Sequence, residues 1–263
     1  MMHCKSDDFY DAMMNRGEFL RKLRLMEQED EASREICTDE YKGNDILIYE
    51  EFLSSQNFYD DYKHVNYSLI DFGNVGDGPL IVAQDRTVGK GGFVWDAGFI
   101  LAEHVVNEME WQVGKPKIVE LGNGTGVTGL FVARNVKEAT VHLTDLPALQ
   151  PLLEKNACAC PENVTTGVLE WGRHASGQFD VILGADVVAS IYDSFALAKT
   201  IYDLSHEKSR IYLACRDRLA GNIDAFESHM KDMFDHVEKK PSNSRNKSPN
   251  VYIFTAHGKR EQQ

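Results

Sequence analysis

From Lys117 onward, short apolar runs alternate with segments whose apolar residues recur at helical spacing. Ile118, Val119 and Leu121 form one run, broken by Gly122-Asn123-Gly124-Thr125-Gly126, after which Val127, Leu130 and Phe131 mark a helical face. This predicts a strand, a glycine turn and the first turns of a helix. Residues 140–145 repeat the strand pattern and end in Asp145, and Pro147 suits the first position of a following helix. A third strand is predicted over 164–169, ahead of Glu170-Trp171-Gly172. Residues 179–186 are nearly all apolar up to Asp186, as expected of a central parallel strand buried on both faces. A helix over 193–204, a strand over 210–215, a helix over 223–233 and two closing strands over 234–238 and 251–255 complete the pattern. The prediction is an α/β fold whose mostly parallel sheet ends in an antiparallel hairpin.

Upstream the pattern changes. Phe9, Met13, Leu20 and Leu23 fall near helical spacing among charges, predicting an amphipathic helix over about 6–35. The runs 46–49, 67–72 and 80–83 are β-like and flank the turn signal Gly73-Asn74-Val75-Gly76-Asp77-Gly78-Pro79, predicting a small antiparallel addition. A helix is expected to open near Phe93-Val94-Trp95-Asp96 and run to about residue 110. The division that follows is an extension over 1–86 and a main domain over 87–263.

Charge narrows the partners. The net charge is −13, so no surface built to neutralise phosphates is expected and nucleic acid is an unlikely partner. The five cysteines are odd in number and irregularly spaced; Cys158-Ala159-Cys160 lacks the second pair of a zinc site, and His104, His142, His174, His229 and His257 show no ligand spacing. We expect reduced thiols, no metal, no membrane segment, a monomer, and a cytoplasmic or also nuclear protein.

The glycine turn carries the chemistry. Glycines permit positive φ and close approach of a ligand, and the helix start offers unpaired N–H groups. Read from Gly124, the spacing Gly124, Gly126, Gly129 fits a dinucleotide fingerprint; read from Gly122, it is an acid-x-G-x-G-x-G frame with Glu120 two residues ahead. The bland alternative is a tight strand-to-helix turn. Asp145, about 20 residues on, suits a ribose diol in either frame. The order of five alternating strands and a terminal pair, with the turn deep in the chain, favours the second.

Several of these runs together resemble methyltransferase family 16, the eukaryotic seven-β-strand protein-lysine methyltransferases. They are Val94-Trp95-Asp96-Ala97, Val119 to Gly126, Thr144-Asp145, Leu169 to Gly172, Phe179 to Asp186 and Leu213-Ala214-Cys215-Arg216. The resemblance covers about residues 88–259. It implies a Rossmann-like class I fold using S-adenosylmethionine (SAM), with substrates such as chaperones, ATPases or translation factors. It also implies that Trp95, Gly122, Asn123, Gly124, Asp145, Trp171 and Ala185 surround SAM, with Glu120 toward its methionine portion and Asp186 at the mouth of the acceptor-lysine channel. Glu120, Asp145, Trp171 and Asp186 are expected to converge on one rim.

One position departs. The family pattern Asp-x-x-Tyr is here Asp186-Val187-Val188-Ala189, with the next tyrosine at Tyr192. Tyr192 can replace it only if 187–191 is a loop, for which Asp193 is a suitable helix cap. A different acceptor such as arginine, a SAM-binding protein without turnover, and an NAD-type oxidoreductase are the competing readings.

Overall fold

The computed structural model describes residues 46–55, 68–76, 78–108, 114–160, 162–173, 175–218 and 222–261; the expected helix over 6–35 lies outside them. The described chain begins with β1 (Ile46–Ile48), α1 (Tyr49–Ser55), β2 (Leu69–Val75) and β3 (Gly78–Ala83). β2 and β3 pair antiparallel, but β1 lies parallel to β2, from Ile46 beside Leu69 to Ile48 beside Asp71. The addition is therefore a mixed sheet, not the purely antiparallel one expected. A parallel pair needs a crossover, and α1 begins it at once. Tyr49 opens that helix instead of ending the strand, because its ring is fully buried against Phe99, 4.1 Å between centroids. Phe72 on β2 meets Phe99 at 5.1 Å and Phe131 at 4.8 Å, and each such pair adds about 0.5–1.5 kcal/mol to the burial itself.

The main body runs α2 (Asp96–Glu108), β4 (Lys117–Leu121), α3 (Val127–Asn135), β5 (Thr140–Asp145), α4 (Gln150–Ala157), β6 (Val164–Val168), β7 (Phe179–Ala185), α5 (Ser194–Leu204), β8 (Ser205–Arg216), α6 (Asn222–Met233), β9 (Phe234–Pro241) and β10 (Val251–Lys259). These strands form one seven-stranded sheet in the order β6-β5-β4-β7-β8-β10-β9. β4 to β8 pair in parallel, and β10 runs antiparallel to both β8 and β9. The expected fold class is the one found.

Alternation along the strands builds two layers of core. Ile118, Val181, Leu183 and Ala214 face the cluster that holds Phe99 and Ile100 of α2, Leu130 of α3 and Leu153 of α4. Their neighbours Val119, Leu121, Ile182, Ile211 and Leu213 face Leu197 and Ile201 of α5 and Phe226 and Met230 of α6. Period two in the strands thus covers both faces with helices. The strand order reverses between β4 and β7, which opens a crevice beyond their carboxyl ends.

Asp193 caps α5, its Oδ1 accepting the Phe195 and Ala196 amides at 2.9 and 3.0 Å. Residues 187–192 are non-helical, as the compensation by Tyr192 requires. Cys160 and Cys215 are free and buried. Among the described residues no helix is long and apolar enough to cross a membrane, and no group of three or more His, Cys, Asp or Glu is placed to hold a metal.

Candidate active site

The turn after β4 is a cradle whose glycines are required by space. Gly122 and Gly124 both have φ of 58°. A Cβ on Gly124 would stand 2.5 Å from the Gly91 carbonyl oxygen, and one on Gly122 would stand 2.8 Å from the Trp171 ring. The loop is held from three sides. The Gly124 N–H donates to Asp145 Oδ2 at 2.8 Å, and the Asn123 N–H donates to the Thr144 carbonyl at 3.2 Å. Asn156 Nδ2 donates to the Thr125 carbonyl at 2.8 Å, while its Oδ1 accepts the Ala83 amide, so one buried amide joins the cradle to β3.

Glu120 does not reach the rim where it was expected. It is 1% exposed and lies under the loop, with Oε2 accepting the Gly129 amide at 2.8 Å. The cause is strand alternation: Glu120 shares the face of Ile118, which packs under α3, and the first turn of that helix offers free amides to a carboxyl. Burial pushes its pKa up to about 8, a shift that the Gly129 and Thr128 hydrogen bonds oppose and do not cancel. Glu120 is thus an internal brace.

The other candidates do gather. Asp145 ends β5 with Oδ1 accepting the Leu146 amide and Oδ2 the Gly124 amide; burial raises its pKa and these two bonds work against the rise. Trp171 follows β6, lies over Gly122 and meets Tyr192 edge to face, 5.3 Å between centroids. Tyr192 is 42% exposed. Its pKa is raised by burial first and then by the charges of Asp145 and Asp186, with Arg218 opposing. A small cavity of about 90 Å³ opens under the same loop, lined by Val187, Val188, Ala189, Tyr192, Leu197 and Ala225. A larger one of about 340 Å³, between Glu103, His104, Phe131 and Arg245, shares no residue with this rim.

Ala185 is the last residue of β7, in register with Ala214 of β8. Asp186 follows with φ of 58°, a left-handed conformation uncommon outside glycine, and its N–H donates to the Ala214 carbonyl at 2.7 Å. This places its carboxylate against Arg218, two residues past the end of β8. Arg218 Nη1 donates to Oδ1 at 2.7 Å and Nη2 to Oδ2, a bidentate pair in which the Asp186 side chain is 7% exposed. The Arg218 guanidinium lies 5.0 Å from the centroid of Trp95, whose Nε1–H donates to the Lys90 carbonyl at 2.9 Å. Arg218 was not among the residues singled out from the sequence. The only signal was its place two residues after Arg216, the last residue of the matching run.

Whether these residues fit SAM can be judged from their unmet chemistry. Asn123 is 8% exposed, yet among the described residues neither its Oδ1 nor its Nδ2 has a partner. A buried amide without partners costs roughly 1–3 kcal/mol, which a polar ligand in the cradle would offset. Asp145 keeps lone pairs for a ribose diol, the Trp171 ring lies against Gly122, and Trp95 is bonded to Lys90, next to the Gly91 carbonyl that Gly124 approaches. A pyrophosphate would meet the Asp145 carboxylate at the cradle; a zwitterionic ligand with a cationic sulfur suits it. The residues fit SAM.

A seven-stranded sheet of this order, with an acid at the end of β5 and a glycine cradle after β4, defines a class I SAM-dependent methyltransferase. The family profile described as lysine methyltransferase matches residues 75–239, and the chain belongs to that family. Mouse EEF1A lysine methyltransferase 3 is 31% identical over 172 residues, covering 62% of this chain and 70% of that protein. Mouse protein N-lysine methyltransferase METTL21A is 33% identical over 153 residues, covering 52% of this chain and 66% of that protein. A UPF0665 family protein of Schizosaccharomyces pombe is 25% identical over 138 residues, and the chain spans 42% of its length and 48% of its own.

Proposed function

We propose that this protein transfers a methyl group from SAM to a lysine side chain of another protein. The observation that carries the reading is the rim itself: Asn123 with an unmet amide, Asp145 at the cradle and Asp186 across the strand-order reversal, all inside the family match. When bound, SAM supplies an electrophilic methyl on a positively charged sulfur. The chain's own residues do the rest. Asn123, Asp145 and the loop amides hold the donor, Trp95 and Trp171 wall it, and Asp186 with Tyr192 orients the incoming amine. Orientation of this kind accounts for several kcal/mol of a two-reactant barrier. A lysine amine, with an ordinary pKa of about 10.4, must arrive unprotonated, and desolvation beside a cationic sulfur favours that form.

For the substrate we take a translation factor of the elongation-factor class as the first candidate, because a relative covering 62% of this chain carries that substrate in its name. Chaperones and ATPases are the next. The test is a reaction with labelled SAM and cell lysate, followed by mass spectrometry of the labelled band, with Asp186→Asn as control. A methylated lysine that appears with the wild type and not the variant supports the proposal. Label on arginine, or none while S-adenosylhomocysteine (SAH) still binds, would replace it with the alternatives of another acceptor or no turnover.

A further inference from the structure

Resting on that reading, the geometry points to Arg218 as a positioning residue that cancels the charge of Asp186, so that the acceptor amine is held in its neutral, reactive form. The problem is one of sign. A bare carboxylate at the acceptor mouth would attract a lysine, but it would also stabilise the ammonium and raise its pKa, and an ammonium has no lone pair to attack with. The pair resolves this. Both oxygens of Asp186 are taken by the two terminal nitrogens of Arg218, and the carboxylate is largely buried. Arginine keeps its charge at any working pH, so the cancellation is permanent, and its planar head is held on Trp95.

Among the described residues, groups on three elements lie around the pair. Tyr192 stands on the loop after β7, Asp145 at the end of β5, and Cys215 on β8, whose thiol is pushed up by burial and further by Asp186. Arg216, the nearby cation, is turned to Asp96 at 3.8 Å instead. With Asp186 neutralised, the cationic sulfur acts on the amine with no opposing net charge from the acceptor-side carboxylate. The ammonium then loses its proton to solvent before attack; its lone pair forms the N–C bond as the S–C bond breaks, and a neutral thioether leaves. Asp186 remains a hydrogen-bond acceptor through its unoccupied lone pairs, so direction is kept while net charge is not.

The test needs no protein substrate. Sinefungin is a SAM analogue with an aliphatic amine in place of the methyl sulfonium, so its affinity relative to SAH reports the acceptor position alone. Calorimetry of both ligands from pH 6 to pH 9 is expected to show, for the wild type, a sinefungin-to-SAH affinity ratio that rises with pH by up to about tenfold per unit while the free amine is protonated, since only the neutral form is accepted. Arg218→Met leaves Asp186 uncompensated: the ratio near pH 7 should rise about tenfold or more and its pH slope should vanish. Arg218→Lys should keep the slope, and Asp186→Asn should keep it with a lower ratio. A flat wild-type profile, or an Arg218→Met protein with wild-type ratio and slope, overturns the proposal. If Arg218→Met does not fold, the Arg218→Lys and Asp186→Asn profiles decide in the same terms. Failure of the wild type to bind SAH at all would instead remove the methyltransferase reading.

Discussion

Asp145 Oδ2 accepts the backbone N–H of Gly124 at 2.8 Å, so the acid that ends β5 is tied to the glycine loop that follows β4. The contact makes Asp145 both a candidate ligand for the ribose and a support of the cradle. Asp145→Ala should therefore weaken SAH binding at least about tenfold, since each charge-assisted bond contributes about 1.5–3 kcal/mol. Isothermal calorimetry measures it, and an unchanged affinity would place the ribose elsewhere.

Gly124 offers a steric check of the same loop. Its φ of 58° disfavours any side chain by roughly 1–2 kcal/mol, and a Cβ would press on the Gly91 carbonyl. Gly124→Ala should lower Tm by at least about 3 °C and weaken SAH binding. A variant that melts and binds like the wild type would show that the loop yields freely at this point.

Glu120 makes stability depend on pH in an unusual direction. Its pKa is raised from 4.5 to about 8 by burial, so between these values the unfolded chain has released a proton that the folded one retains. The stabilisation is complete below about pH 4.5 and is lost as pH rises through about 8, by up to about 1.4 kcal/mol per unit. Glu120→Gln, which keeps an acceptor for the Gly129 amide, should lose this slope. Chemical denaturation of both proteins at pH 5, 6.5 and 8 would reveal it, and parallel profiles would sink the idea.

Turnover and cofactor binding should separate at the acceptor side. Asp186→Asn keeps the shape but not the charge, and methyl transfer should fall by roughly 10- to 100-fold with SAH affinity little changed. Equal losses of both would return Asp186 to a purely structural part.

Tyr192→Phe retains the edge contact with Trp171 and removes only the hydroxyl, which feels the charges of Asp145, Asp186 and Arg218. A neutral hydrogen bond of about 0.5–1.5 kcal/mol implies a loss of roughly 2- to 10-fold in kcat. Full activity would leave Ala189 as the mark of a wider acceptor pocket rather than a position for which Tyr192 compensates.

Much of this molecule could be read along the chain because its determinants are local. Strand and helix positions followed from apolar periodicity, the cradle from glycines that must adopt positive φ, and the α5 start from Asp193, whose side chain reaches amides only two and three residues on. Asp145 and Asp186 were legible as acids at the ends of apolar runs. What could not be read depends on which strand lies beside which, in what register and facing which way. The parallel pairing of β1 turns on one buried ring, Tyr49, that only the core of α2 explains. Glu120 points under the loop and not at the rim because period two puts it on the Ile118 face, which α3 covers. The bond between Asp186 and Arg218 spans 32 residues and exists because Ala185 registers with Ala214 and Asp186 then bends to a positive φ. Such contacts link residues distant in the chain, and packing alone brings them within hydrogen-bond reach.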